Sequence, residues 1–343
     1  MASNNYLVFD GGNSLVKFAS ASAEGFFPHA LTEISETKYR HAQRLFRDNP
    51  SPDFIRVNGK YYVVGESAEE YGITTRQQNQ SRYKKEYFGV LLASAIARTY
   101  KKVRELRVFA SHPPGHVEYV DLLMDSLFGE YDIECGGNQL NVDVVYCNIF
   151  DEPTGGFMNV ALNEEGTSYS STAFKGKRFL VFDIGGGTTD YVVIKEDGSV
   201  DYTNATSETT GINEALHSFR QAFLHRYKAH FSDTDRIHPA RLRQAFATGS
   251  FIGGGREFDC AEEAERARTT LINMILRSFI SLGGGMNFDG LLFTGGGSGL
   301  IIDHIRPQLN NNNVVLAEKP EEIHMANVYG GRKLWKLYNQ IGV

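Results

Sequence analysis

Apolar residues recur along this chain in two rhythms. Short apolar runs bounded by glycine, asparagine or proline alternate with longer stretches in which apolar side chains return every third or fourth position. The first rhythm marks strands and the second amphipathic helices. Residues 5–10 and 15–21 pair as a hairpin across Gly11, Gly12, Asn13 and Ser14, and residues 54–65 pair around Asn58-Gly59. Phe88, Leu91, Leu92, Ala95, Ile96 and Thr99 predict one helix over 82–100. A strand over 105–114 is stopped by Pro113-Pro114; a helix near 115–128, a strand near 142–147 and a short helix over 153–162 with Pro153 in its first turn follow.

The second half repeats the theme. Strands are expected at 178–183, 190–195 and 200–204, with Asp197-Gly198 as a turn. A helix near 211–229 buries Ile212, Ala215, Leu216, Phe219 and Phe223, and another spans 261–282 until Gly283 to Gly285 stop it. Residues 290–301 predict a strand, a glycine turn and a helix start. Gly253 to Gly255 and the Asn310 to Asn313 run are expected as loops, and a last helix near 320–338 follows Pro320. Each half opens with hairpins and continues into strand–helix alternation, the pattern of an α/β fold with two related domains. The cleft between two such halves is a natural place for a ligand.

With 343 residues, 41% of them hydrophobic, the chain can bury a large core without metal or disulfide support. A net charge of −6 argues against direct nucleic-acid binding, which needs clustered positive charge. Cys135, Cys147 and Cys260 lack metal-ligand spacing and are expected as reduced thiols of a cytoplasmic protein. Neither a signal peptide nor an apolar run near the ~20 residues of a membrane span is readable, so no membrane contact is expected.

The glycine turns carry the candidate chemistry. Asp10 ends the first strand; Gly11 and Gly12 let backbone N–H groups approach a phosphate, Asn13 and Ser14 add donors, and Lys17 could add positive charge. Asp10 suits a hydrated Mg²⁺. Alone, this stretch is equally a tight hairpin with a surface lysine. About half the chain later the element returns as FDIGGGTTD: Asp183, then Gly185, Gly186 and Gly187, then Thr188 and Thr189 as further donors. Three glycines exceed what a hairpin turn needs. In FDEPTGG, Glu152 sits at a strand-to-helix junction where it could orient an attacking water, although taken alone it reads first as a solvated helix N-terminus. Gly295, Gly296, Gly297 and Ser298 lie between a strand and a helix and could admit a ribose and α-phosphate; no Walker Gly-Lys-Ser/Thr follows. His112 and His324 are expected to be structural.

The order of these segments resembles the superfamily of actins, heat-shock chaperone ATPases and sugar kinases. Residues 10–17, 152–162, 183–190, 294–299 and 322–334 are similar, in order, to its first phosphate loop, connecting helix, second phosphate loop, adenosine motif and second connecting helix. The resemblance implies a duplicated actin-like (ribonuclease H-like) α/β fold with nucleotide in the interdomain cleft. Domain I would span 1–172, with a helix at about 332–343 returning to it, and domain II 173–331, with a helical subdomain at about 212–285. It further implies that Asp10 and Asp183 hold hydrated Mg²⁺ and that Gly12, Asn13, Ser14 and Gly185 to Thr188 receive the β- and γ-phosphates. Glu152 would position the water, Gly295 to Gly297 would meet the adenosine, and Gly211 would pass near the nucleotide.

Asp10-Gly11-Gly12-Asn13-Ser14-Leu15-Val16-Lys17 is similar to the actin pattern D-x-G-x-x-x-V-K, which chaperones generally lack. With SRYKKEYFGVLLASAIA it looks like the ParM type of prokaryotic actin. Glu152 in place of the glutamine of eukaryotic actin favours the same branch. The resemblance implies an ATPase (GTP being possible) that polymerises head-to-tail and segregates plasmid or other DNA through a DNA-binding adaptor. The alternative is a non-filamentous kinase or chaperone-like ATPase; a kinase would need an acceptor-activating carboxylate, for which there is no separate candidate.

Overall fold

The computed structural model describes residues 5–47, 51–70, 80–232, 237–309, 313–319 and 321–341. Asn310 to Asn312 and Pro320 lie outside these residues. The chain divides into two compact units, Met1–Lys175 with Met325–Val343, and Gly176–His324.

In the first unit the strands are β1 (Tyr6–Gly11), β2 (Leu15–Ala19), β3 (Glu24–Pro28), β4 (Leu31–Ile34), β5 (Phe54–Val57), β6 (Lys60–Val64), β7 (Glu105–His112), β8 (Gly129–Cys135) and β9 (Asn138–Asp151). Its helices are α1 (Glu36–Leu45), α2 (Gly65–Glu70), α3 (Val90–Thr99), α4 (Val120–Leu127) and α5 (Glu152–Ala161). The strands form one sheet in the order β3-β2-β1-β7-β9-β8-β5-β6-β4. Every residue of β1 is buried. Its alternating side chains go to opposite faces, Leu7 and Phe9 into one apolar cluster and Tyr6 and Val8 into another, so the sheet is covered on both sides. β1, β7 and β9 run parallel, with one register shift between β7 and β9 at Leu106–Arg107, and this brings Gly11, His112 and Asp151 to one edge at their carboxyl ends.

The second unit contains β10 (Phe179–Ile184), β11 (Thr189–Ile194), β12 (Val200–Glu208), α6 (Ile212–Arg226), α7 (Pro239–Thr248), β13 (Ser250–Gly253), β14 (Arg256–Asp259), α8 (Ala261–Ser281), β15 (Gly290–Thr294), α9 (Ser298–Ile305) and β16 (Val314–Leu316). Five strands pair in the order β12-β11-β10-β15-β16, with β10, β15 and β16 parallel. Leu180, Phe182 and Ile184 of β10 share a core with Phe219 and Phe223 of α6 and Leu271 and Ile275 of α8. The chain then returns to the first unit as α10 (Ala326–Ile341), which packs on α5. There Lys333 Nζ donates to the α5-terminal carbonyls of Asn159 (2.6 Å) and Leu162 (3.1 Å). A cation suits that negative helix end.

Three expectations are corrected. The 82–100 stretch is not one helix but a 3-10 turn (Gln80–Tyr83), a π turn (Lys85–Gly89) and α3, because Lys84 is extended at φ −79°, ψ 146°. The break lets Arg82 and Tyr87 both serve the β1–β2 turn, as described below. The strand near 142–147 is the middle of the 14-residue β9, which pairs with β8; the acidic alternation of Glu130, Asp132 and Glu134 hid the latter. Gly253 to Gly255 are not a plain loop. Gly254 and Gly255, at φ 58° and 73°, turn the hairpin of β13 and β14.

Candidate functional site

In the first unit, β1 delivers Asp10, fully buried, to its carboxyl end. Lys17, opposite it on β2, donates to Asp10 Oδ2 at 2.6 Å. The lysine expected on a phosphate is therefore held by a carboxylate here. The other oxygen, Oδ1, is buried without a hydrogen-bond partner among the described residues. The turn that follows is gripped from outside. Arg82 donates from Nη2 to Gly11 O (2.6 Å) and from Nη1 to Asn13 Oδ1 (2.5 Å). His29 Nδ1 donates to Gly12 O at 2.6 Å, which leaves its Nε2 to accept from Tyr87 Oη at 3.0 Å. Phe88 lies so close over Gly11 that a Cβ there would sit 2.2 Å from its ring. Two successive carbonyls are thus occupied by protein donors, the arrangement that leaves neighbouring N–H groups for an anion. Ser14 accepts through its carbonyl from the backbone N–H of His29 at 2.9 Å.

At the neighbouring strand ends, Glu152 opens α5 and is nearly buried, and the preceding Asp151 meets His112 Nε2 at 3.2 Å. His116, in the turn after β7, has its Nδ1 2.7 Å from Tyr83 Oη. Its pKa is held down by burial first and by the positive field of Arg82 next.

The second unit builds a comparable turn from different parts. Asp183 is buried near the end of β10. The carbonyls of Gly185 and Gly186 accept from the first N–H groups of α6, Ile212 (3.0 Å) and Asn213 (2.9 Å), while Gly185 N donates to Thr188 O (2.9 Å). Gly211 allows this contact, since a Cβ there would lie 2.7 Å from Gly186 O and 2.8 Å from Gly185 O. Thr188 and Thr189, both expected to donate to phosphate, donate here to Asp190 Oδ2 and Thr210 O, each at 2.8 Å. Asp190 is fully buried. The third turn sits directly on the second. Gly297 N donates to Ile184 O at 2.8 Å, and Gly295, at φ 80°, would put a Cβ 2.1 Å from Asp183 Oδ1. Gly296 lies between them, and Ser298 donates from its hydroxyl to Thr294 O at the start of α9.

The structure groups Asp10 to Lys17 with Glu152 in the first unit, and Asp183 to Thr189 with Gly211 and Gly295 to Ser298 in the second. Arg82 and His29 did not emerge from the sequence. His29 stands in a stretch without motif, whereas Arg82 lies within SRYKKEYFGVLLASAIA, where it is one of several charged residues beside the strongly apolar run that opens α3.

Two family models match these halves. One, described as actin-like proteins, N-terminal domain, covers residues 9–155; the other, archaeal actin homologue MreB-like, C-terminal, covers residues 181–307. The chain belongs to the actin-like proteins. Solved structures agree on the fold. The archaeal actin homologue Ta0583 superposes with a TM-score of 0.74 at 17% identity over 97% of this chain and 99% of that one. Its complex with ADP gives 0.71 at 15% identity, over 97% and 99%. A 15-stranded ParM filament from Clostridium botulinum gives 0.72 at 19% identity, over 98% and 100%. Curated protein sequences give no match.

Actin-like folds imply a divalent cation with their nucleotide. Among the described residues no three His, Cys, Asp or Glu side chains converge as a cage. The buried, unpartnered Oδ1 of Asp10 nevertheless fits a hydrated ion, because it can accept from a metal-bound water. No helix among the described residues is long and apolar enough to cross a membrane.

Proposed function

We propose that this actin-like chain binds Mg-ATP, hydrolyses it, and polymerises head-to-tail into filaments whose lifetime hydrolysis sets. The observation that carries the reading is shared by both units. Each places a buried aspartate at the carboxyl end of a parallel strand, followed by a glycine turn whose carbonyls are occupied by protein donors. Ligands of open α/β sheets bind at that end. Carbonyls turned away leave the turn's dipoles favourable to phosphate. The ADP bound to Ta0583 and the ParM filament support the same reading by likeness of fold.

Asp10 and Asp183 would hold a hydrated Mg²⁺ through its waters, and the ion would supply charge neutralisation at the phosphates. Gly11 to Ser14 and Gly185 to Thr189 bind the β- and γ-phosphates, and Gly211 with Gly295 to Ser298 borders the nucleoside. Glu152 accepts a proton from, and orients, the water that attacks in line. Subunit contacts of one face against a different face give open filaments, because such an interface does not close. The acidic chain would reach DNA through a basic adaptor rather than by direct contact, in the cytoplasm, consistent with plasmid or other DNA segregation. Right-angle light scattering and pelleting with ATP against ADP test the reading. Polymer is expected with ATP and its loss after turnover; no sedimentable polymer with ATP at high protein concentration would refute the filament.

A further inference from the structure

Arg82 is 2% exposed, and among the described residues no carboxylate pairs with it. Its Nε also lacks a partner there. Buried charges are ordinarily paired, because desolvation of an unpaired cation is costly. Among the described residues its contacts are with neutral groups: the Gly11 carbonyl, the Asn13 side-chain oxygen, and the rings of Tyr83 (5.0 Å) and Phe88 (5.7 Å). The one cation that the sequence placed at this turn, Lys17, is already neutralised by Asp10. Among the described residues Arg82 therefore brings a positive charge with no carboxylate partner against a turn whose carbonyls are occupied by protein donors.

Resting on the nucleotide reading above, we infer that Arg82 is the cation that answers phosphate charge in the first half of the site, acting on the phosphate chain through the turn and through Asn13. Binding the Asn13 carboxamide by its oxygen fixes the side chain's flip. Its two Nδ2 hydrogens are then left without a protein acceptor among the described residues, free to donate to a phosphate oxygen. The guanidinium polarises these donors, as a charged partner does in a hydrogen-bonded chain. Arg82 is thus a positioning residue whose counter-ion is the ligand itself.

Calorimetric titration of ADP, ATP and adenosine into the full chain tests this. Arg82→Met is expected to weaken ADP and ATP roughly 10- to 100-fold, the scale of a lost charge-assisted bond, and to leave adenosine within about twofold. Arg82→Lys keeps the charge without the fork and should recover part of the loss. Asn13→Asp gives Arg82 a carboxylate partner inside an intact fold. It should weaken ADP about tenfold more than Asn13→Ala does, since it both neutralises the cation and removes the donors. This pair decides the matter if Arg82→Met fails to fold. Equal losses in the two Asn13 variants, a parallel fall for adenosine, or unchanged ADP affinity in Arg82→Met would each overturn the inference while leaving the nucleotide reading in place. A wild-type chain that binds neither ADP nor ATP sinks both.

Discussion

Replacing Gly330 by alanine in α10 gives a sign test of how α5 and α10 meet. In a free helix the substitution stabilises by about 1 kcal/mol, because alanine restricts the unfolded chain and glycine does not. Here the new Cβ would lie 1.7 Å from the carbonyl oxygen of Gly155, 2.7 Å from its carbonyl carbon and 2.8 Å from Asn159 N. All three are backbone atoms of α5, so no side chain can swing away. Gly155 faces the same constraint in return, with a Cβ 2.7 Å from Asn327 O. The helices must part by well over an ångström, which strains the Lys333 bonds to Asn159 and Leu162 and opens gaps around Val328 and Trp335. Overpacking of this kind, against backbone on both sides, costs about 3 kcal/mol net of the helix gain. For a unit of this size that lowers Tm by roughly 6–12 °C. Thermal unfolding followed by circular dichroism reads it. An unchanged or raised Tm would show that the helices do not pack glycine against glycine. Because Glu152 is the first residue of α5, any phosphate release should fall together with Tm.

Glu152→Ala is expected to slow phosphate release by about 10²- to 10⁴-fold while ADP binding and ATP-driven assembly persist; wild-type turnover in the variant would remove the assigned role. Asp183→Ala should weaken Mg-ATP by at least about tenfold, and unchanged affinity by calorimetry would count against the metal role. His116 has its pKa pushed below the ordinary 6.5, so its neutral form is the folded one. The stability this contributes is complete above the unfolded value and lost as pH falls through the folded one. Tm should therefore drop less between about pH 7 and about pH 5.5 in His116→Asn than in the wild type, and equal drops would refute the account. Burial pushes the thiols of Cys147 up to about 12 and of Cys135 and Cys260 up to about 11, so a thiol reagent at about pH 8 should modify none until the chain unfolds.

The hairpin of β1 and β2, the strands β10 and β11, the helix α8 and the strand–turn–helix of β15 and α9 were legible from residue order, because turn chemistry and apolar period act over a few positions. So was the actin-like fold, through the order of short motifs along the chain. β8 was not legible, since its half-exposed acidic alternation offers no apolar run. The grip on the first turn was equally hidden. Its donors, His29 and Arg82, lie 17 and 71 positions from the carbonyls they hold, and no local pattern shows which backbone group each will reach. Likewise the α6 N–H groups that hold Gly185 and Gly186 have no side-chain signature at all. The sequence by itself determined where the chain turns and which glycines and polar residues stand at those turns. Tertiary structure decided which charges remain unpaired there: Lys17 is spent on Asp10, and Arg82 is buried without a carboxylate among the described residues. Charge compensation depends on distances across a folded interior, and these arise only when remote segments are packed together.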